Sequence, residues 1–295
     1  MTEMISAGSK NDDIKKAHRK PMAQEDHLPD FQSPPAVETF LGFHFSNLKD
    51  WKTPYFGLFW QKIRSAYPEA EVHPPIPSED TFKVELDTQR ISLKVRGEIP
   101  VRWWYSHKSG RRLIQIQNDR FIQNWRKLDS KDKYVHYAQL RPSFLKVWGQ
   151  FLGFLKANGV KPPEINLCEI GYVNNIDRGK AWKSFSELGG VISSWSGNTT
   201  TGFLPPPNLV TLNAVYPIPK AGGSLHVSME PGFRQQDRTE TIQLTLTAKC
   251  RPATPNPRDL VAALDLGREW IVRGFEDLTT EKMHKFWVKK KRGRL

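Results

Sequence analysis

Thr241-Ile242-Gln243-Leu244-Thr245-Leu246-Thr247-Ala248-Lys249 alternates apolar and polar residues without a break. Successive side chains of a β-strand point to opposite faces. Ile242, Leu244, Leu246 and Ala248 therefore share one face, and Gln243, Thr245, Thr247 and Lys249 share the other. Two preceding segments follow the same rule. In residues 224–230, Leu225, Val227 and Met229 oppose Ser224, His226, Ser228 and Glu230; in residues 209–216, Val210, Leu212, Ala214 and Tyr216 oppose Thr211 and Asn213. Three such strands in succession predict an antiparallel meander with an apolar face for helices and a polar, mostly uncharged face opposite.

A strand over 165–173 and a helix over 184–195 precede this meander, the helix aligning Phe185, Leu188, Ile192 and Trp195. Leu204-Pro205-Pro206-Pro207 forms a loop between them and the meander. A helix over 258–275 follows, with Leu260, Leu264, Gly267, Ile271 and Phe275 in line. The same order runs upstream. A strand over 37–45 leads to a helix over 54–67 that starts at Pro54 and carries Phe56, Phe59, Trp60, Ile63 and Tyr67 on one stripe. The Pro-rich His73-Pro74-Pro75-Ile76-Pro77 comes next, and then strands over 101–105, 112–117 and 120–125. A helix over 142–158 with Phe144, Trp148, Phe151 and Leu155 on one face closes the unit at Asn158-Gly159. Residues 80–96 leave room for one more strand.

The expected fold is α+β, an internal duplication of a β-α-β-β-β-α unit. Its antiparallel curved sheet is backed by helices, on the plan of TATA-binding-protein-like or helix-grip-like architectures. Residues 1–30 read as a disordered leader, 31–160 and 161–278 as the two repeats, and 279–295 as a short helix and basic tail. Thr279 is positioned to cap that helix, Leu278 to staple onto Met283, and Phe286 and Trp287 to pack it down.

Cys168 and Cys250 are the two cysteines, and no CxxC pair or Cys/His cluster exists, which fits neither a disulfide framework nor a zinc site. With no secretory signal and no run of about 18 apolar residues, the expected location is cytoplasmic, away from the membrane. Phosphate-binding glycine loops, HExxH and GxSxG are all lacking, so no cofactor is expected. Glu38, Asp119, Glu169 and Glu230 fall within or beside strands, where an acid serves as an ion-pair partner more often than as a general base. Catalysis is therefore not the expected role. The formal net charge of +13 gathers between Arg90 and Arg126 and at the C-terminus, which favours anionic partners, nucleic acid above all. Arg102-Trp103-Trp104 resembles a stacking site, but adjacent strand residues face opposite ways, so one indole belongs to the core and only the other is able to stack.

The stretch Leu113-Ile114-Gln115-Ile116-Gln117-Asn118-Asp119-Arg120-Phe121-Ile122-Gln123-Asn124-Trp125-Arg126 resembles the signature of a sporadically distributed family of uncharacterised bacterial proteins. Three further pieces agree with it: 34–38, 169–176 and 274–280. The resemblance implies a bacterial protein of patchy distribution, compatible with mobile or defence-type loci, and carries over no catalytic residues.

Gln115, Gln117, Asn124 and Arg126 are polar residues on strands expected to be half buried, where amides need partners. Either they knit the repeats together, Asn124 and Arg126 reaching Glu169 and Asn174, or they line a site. His226, Gln243 and Thr245 on the second meander either meet a ligand or are solvated. The expected function is a non-catalytic binding or regulatory protein that takes nucleic acid on a basic surface. The alternative is an accessory module for a small ligand or for a protein encoded nearby.

Overall fold

The computed structural model describes residues 28–77, 101–129, 131–179, 181–195, 202–219, 222–234 and 237–290. Its elements are β1 (Ala36–Phe45), α1 (Pro54–Ile63), β2 (Glu69–His73), β3 (Arg102–Ser106), β4 (Arg112–Gln117), β5 (Arg120–Arg126), α2 (Tyr137–Ala157) and β6 (Ile165–Asp177). A 3-10 turn (Phe185–Gly190), β7 (Leu212–Ile218), β8 (Gly223–Phe233), β9 (Glu240–Cys250), α3 (Pro257–Leu278) and α4 (Glu281–Phe286) complete the chain. The described strands form one nine-stranded antiparallel sheet in the order β2-β3-β4-β5-β1-β6-β9-β8-β7. The architecture is α+β, as expected. The spans 31–160 and 161–278 share this sheet, joined where β1 pairs antiparallel with β6.

Alternation sends most of the apolar residues of the central strands to one face. Leu41 and Phe43 of β1, Ile114 and Ile116 of β4, Phe121 of β5, Ile170 of β6 and Leu244 and Leu246 of β9 are buried there. α2 covers the β1 side, with Phe144 at 4.8 Å from Phe43 and Phe151 at 5.2 Å from Phe121 between ring centroids. α3 covers the β6–β9 side and comes close through glycine: a Cβ on Gly267 would lie 2.7 Å from Ile170. Burying each of these large side chains contributes roughly 1.5–3 kcal/mol. No helix of the described residues is long and apolar enough to cross a membrane.

Several boundaries differ from expectation. α2 begins at Tyr137 and carries Pro142 inside it, because buried Tyr137 donates to Asp265 on α3 at 2.7 Å and tertiary packing holds the turns before the proline. α1 ends at Ile63. The expected helix over 184–195 shrinks to a 3-10 turn that Gly189-Gly190 ends. β7 starts at Leu212 and continues through Pro217, which an edge strand tolerates. β2 was not expected, since its charged, five-residue segment lacks the alternation of a core strand and gains order only as an edge pair with β3. Thr280, not Thr279, caps α4 by accepting from Met283 N, while the Thr279 hydroxyl donates to Phe275 O. Trp287 is buried but Phe286 is exposed. Phe31 packs on Phe275 and Trp287, and residues 30–33 bond with 287–290, so order begins before the expected end of the leader. The rest of that leader, the strand considered within 80–96 with Arg90, Lys94 and Arg96, and the tail from Lys291 lie outside the described residues.

On the face away from the helices, the ring tip of Phe40 of β1 lies over Gly171 of β6, so closely that a Cβ there would overlap it. Gly171→Ala is expected to destabilise the protein by roughly 1–3 kcal/mol, the usual cost of overpacking. In a Phe40→Ala background that cost should largely vanish, because the atom the new methyl meets has gone. Urea denaturation of the four proteins tests this, and an equal cost in both backgrounds would contradict the packing.

Candidate functional site

The sheet face without helices differs along its length. Over β7–β9 it is solvated. Gln243 is exposed and donates to Asn175 Oδ1 at 3.4 Å, Thr245 is half-buried, and His226 bonds Ser224 Oγ at 2.8 Å. Among the described residues of these three strands, Lys249 is the one Lys or Arg on this face.

Over β3–β6 the same face is closed. The two-residue turn at Asn118-Asp119 pairs Gln117 with Arg120, so alternation along 113–126 directs Gln115, Gln117, Arg120, Asn124 and Arg126 to one side. Gln115, Gln117, Arg120 and Asn124 are buried there. The Pro-rich segment 74–77 crosses over them as a strap. Gln117 grips it at both ends of one residue: Nε2 donates to Ile76 O at 3.0 Å, and Oε1 accepts from Ile76 N at 2.8 Å. Arg120 donates to Pro77 O at 3.2 Å and is held by Asp119 through two bonds of 3.0 Å. Beneath lies a cavity of about 270 Å³, roughly the volume of nine liquid waters. Arg102, Gln115, Arg120, Asn124, Glu38, Glu169 and Lys249 give it polar walls, and Phe40, Ile76, Pro77, Ile122 and Val173 give it apolar ones.

One hydrogen-bonded chain runs along the wall with fixed polarity. A guanidinium only donates, so Arg102 Nη1 must meet Gln115 Oε1, at 3.0 Å. That turns Gln115 Nε2 toward Asn124 Oδ1 at 2.8 Å, and Asn124 Nδ2 toward Glu38 Oε1 at 2.5 Å. An unmade bond in such a buried chain costs about 1–3 kcal/mol, more than a formed one contributes, so the chain fixes side-chain geometry more than it adds stability.

The two acids of the cavity are driven apart. Burial raises the Glu38 pKa above the ordinary 4.5, opposed by the Asn124 hydrogen bond and the Arg126 charge. Burial also raises that of Glu169, but the 2.8 Å bond from His44 Nε2 and the charges of His44, Lys249 and Arg120 outweigh it and leave the carboxyl below 4.5. The cavity thus offers a reluctant acid and a firm carboxylate to a polar guest. The buried thiols of Cys168 and Cys250 lie on the helix face, and burial pushes them up to about 12 and about 11. Among the described residues no group of three His, Cys, Asp or Glu side chains could hold a metal ion.

Of the residues singled out in the sequence, Gln115, Gln117, Asn124 and Glu169 meet at this site, and Arg126 stands beside it. Asn174 does not join them. β6 runs unbroken to Asp177, five residues separate Glu169 from Asn174, and an odd spacing places them on opposite faces; Asn174 instead donates to Leu244 O at 3.0 Å. The expected knitting of Asn124 to Glu169 is likewise replaced by the bond to Glu38, and His44–Glu169 crosses the seam instead. His226, Gln243 and Thr245 remain on the solvated strands. Sequence reasoning missed Arg102, Arg120, His44 and Lys249 as site residues. The Gln117–Arg120 turn pairing carried a signal for Arg120, whereas the other three depend on cross-strand register.

Opposite pH responses follow. The native Glu38 carboxyl holds its proton more tightly than the unfolded one, so this group's contribution is lost as pH rises above about 4.5; Glu38→Gln should gain on the wild type through that range. Glu169 contributes fully above about 4.5 and loses its contribution as pH falls below it, so Glu169→Gln should cost roughly 1–3 kcal/mol near neutrality and less in acid. Urea denaturation across pH checks both, and profiles parallel to the wild type would contradict the assignment. In comparisons with known protein families, curated proteins and solved structures, the chain matches none, so its functional reading stands on this geometry.

Proposed function

We propose that this protein is a non-catalytic binding protein that encloses a small polar molecule in the cavity between the strap 74–77 and strands β1 and β3–β6. The observation that carries the reading is the convergence of alternate residues of one segment, Gln115, Arg120 and Asn124, on a cavity of about 270 Å³ with charges of both signs. A sheet face intended only for water has no need of a fixed hydrogen-bonded chain or of backbone gripped by Gln117. Mixed polar and apolar walls with a few placed charges are the usual make-up of a ligand site.

The strand order supports an internal duplication on the TATA-binding-protein plan. From the β1–β6 seam, β5, β4 and β3 succeed one another on one side, and β9, β8 and β7 on the other. The first unit then supplies most of the cavity, with Glu169, Val173 and Lys249 from the second, and the rest of the second unit presents a mostly uncharged face. Nucleic acid along the whole open face is the weaker reading, because the cations of that face gather at the cavity. A single-stranded form of it is favoured by Trp104, whose indole faces outward with His73 stacked on it at 3.8 Å, as a base would be.

Thermal melting against a panel of metabolites and nucleotides tests the proposal. A ligand at about 100 times its Kd stabilises by roughly 2.7 kcal/mol. At least one compound should raise the melting temperature of the wild type and fail to do so in Val173→Phe, which fills the cavity from β6. Unchanged melting with every compound, or equal response in Val173→Phe, contradicts it. Retention of single-stranded oligonucleotide at low salt that is lost in Trp104→Ala would move the reading to nucleic acid.

A further inference from the structure

Among the described residues, three buried donors on the open face have no acceptor: Arg102 Nε, Arg126 Nε and Trp104 Nε1. They surround one ring. The guanidinium carbons of Arg102 and Arg126 lie 5.2 and 5.9 Å from the centre of the Trp104 indole. Arg102 and Trp104 share a face of β3, and Trp104 pairs with Gln115 of β4, which pairs with Ile122 of β5; Arg126, four residues further along β5 on the same face, reaches the ring diagonally through its long side chain.

The nearby groups are already engaged elsewhere. Arg102 spends Nη1 on Gln115, His73 bonds Glu71 at 3.1 Å, and Arg120 is held by Asp119. Glu38 is the carboxyl that faces Arg126, and its Oε1 accepts from Asn124. The cluster therefore combines two guanidinium charges and three buried donors without a protein acceptor. A neutral amide guest would bring donors of its own, whereas a carboxylate or phosphate brings oxygens alone and the matching charge.

We propose that Arg102, Arg126 and Trp104 form an oxyanion subsite beside the cavity, which seats the carboxylate or phosphate group of its ligand. Arg102 belongs to both, so an anionic head held at Trp104 directs the body of the molecule along the Arg102–Gln115 wall. The subsite rests on the cavity reading only for where that body goes.

Titration with inorganic phosphate and, separately, with benzoate at constant ionic strength, read by thermal melting and calorimetry, tests it. At least one anion should bind saturably, above a chloride control. Trp104→Phe, which keeps an aromatic ring and removes the indole N–H, and Arg126→Gln should each weaken binding at least tenfold. Arg112→Gln, at an exposed position of β4, should leave it unchanged. Response to phosphate alone assigns a phosphate ester, and response to benzoate alone a carboxylate. Val173→Phe should retain anion binding while losing the larger panel compounds, which separates the subsite from the cavity. No saturable response to either anion, or wild-type binding by both Trp104→Phe and Arg126→Gln, overturns the subsite; a panel compound that still binds would then leave the cavity reading standing.

Discussion

The antiparallel pairing of β1 with β6 is the constraint on which the rest of the molecule depends. It merges two runs of strands into one sheet, and both runs turn their apolar residues to the same side. α1, α2 and α3 are all drawn to that side, because that is where aromatic and aliphatic surface can be removed from water. Among the described residues the opposite face receives no helix. Whatever is buried there must be satisfied by its own polar groups and by the strap over them. The seam itself allows this, since Gly171 leaves room for the ring tip of Phe40 and His44 reaches Glu169 across it.

The polar chain and the hydrophobic core specify the same register from opposite sides. A one-residue slip of β4 against its neighbours would carry Gln115 and Gln117 toward the helices and bring Ile114 and Ile116 out to the cavity, leaving Asn124 without its partner. Both errors are costly, and here a slip also breaks a fixed polar chain; in β7–β9 a slip would expose Leu244 and Leu246, but the Thr, Ser and Gln face has no such chain to lose. Rigidity of this kind is what a preorganised ligand site needs: Arg102, Gln115, Asn124 and Glu38 are held in one orientation before any guest arrives. The strap adds backbone from outside the sheet, and Gln117 reads that backbone much as a neighbouring strand would.

What was legible in the sequence is what depends on local alternation. The strands of the second meander, the shared side of Gln115 and Gln117, and the split of the tryptophan pair all follow from a period of two. Trp103 stacks on Phe56 in the core at 5.8 Å, and Trp104 faces out. What was hidden depends on partners far along the chain. β2 is a strand only because β3 lies beside it. Tyr137 starts α2 five residues before Pro142 because Asp265 of α3 receives its hydroxyl. Arg102, His44 and Lys249 enter the site through the order in which the strands are laid down, which no local window contains. Asn174 was misplaced for a simpler reason: the strand was expected to end at Val173, and the parity that separates it from Glu169 was therefore not applied.

Side-chain nuclear magnetic resonance tests most directly the claim that alternate residues of 113–126 enclose a binding site. The Gln115 and Asn124 amide protons and the Arg102 and Arg126 Nε protons should be protected from exchange with water in the free protein. They should also shift on addition of a bound anion while Gln243 on the solvated strands stays in place. Rapidly exchanging Gln115 and Asn124 amides, or shifts confined to Gln243 and its neighbours, would contradict the account.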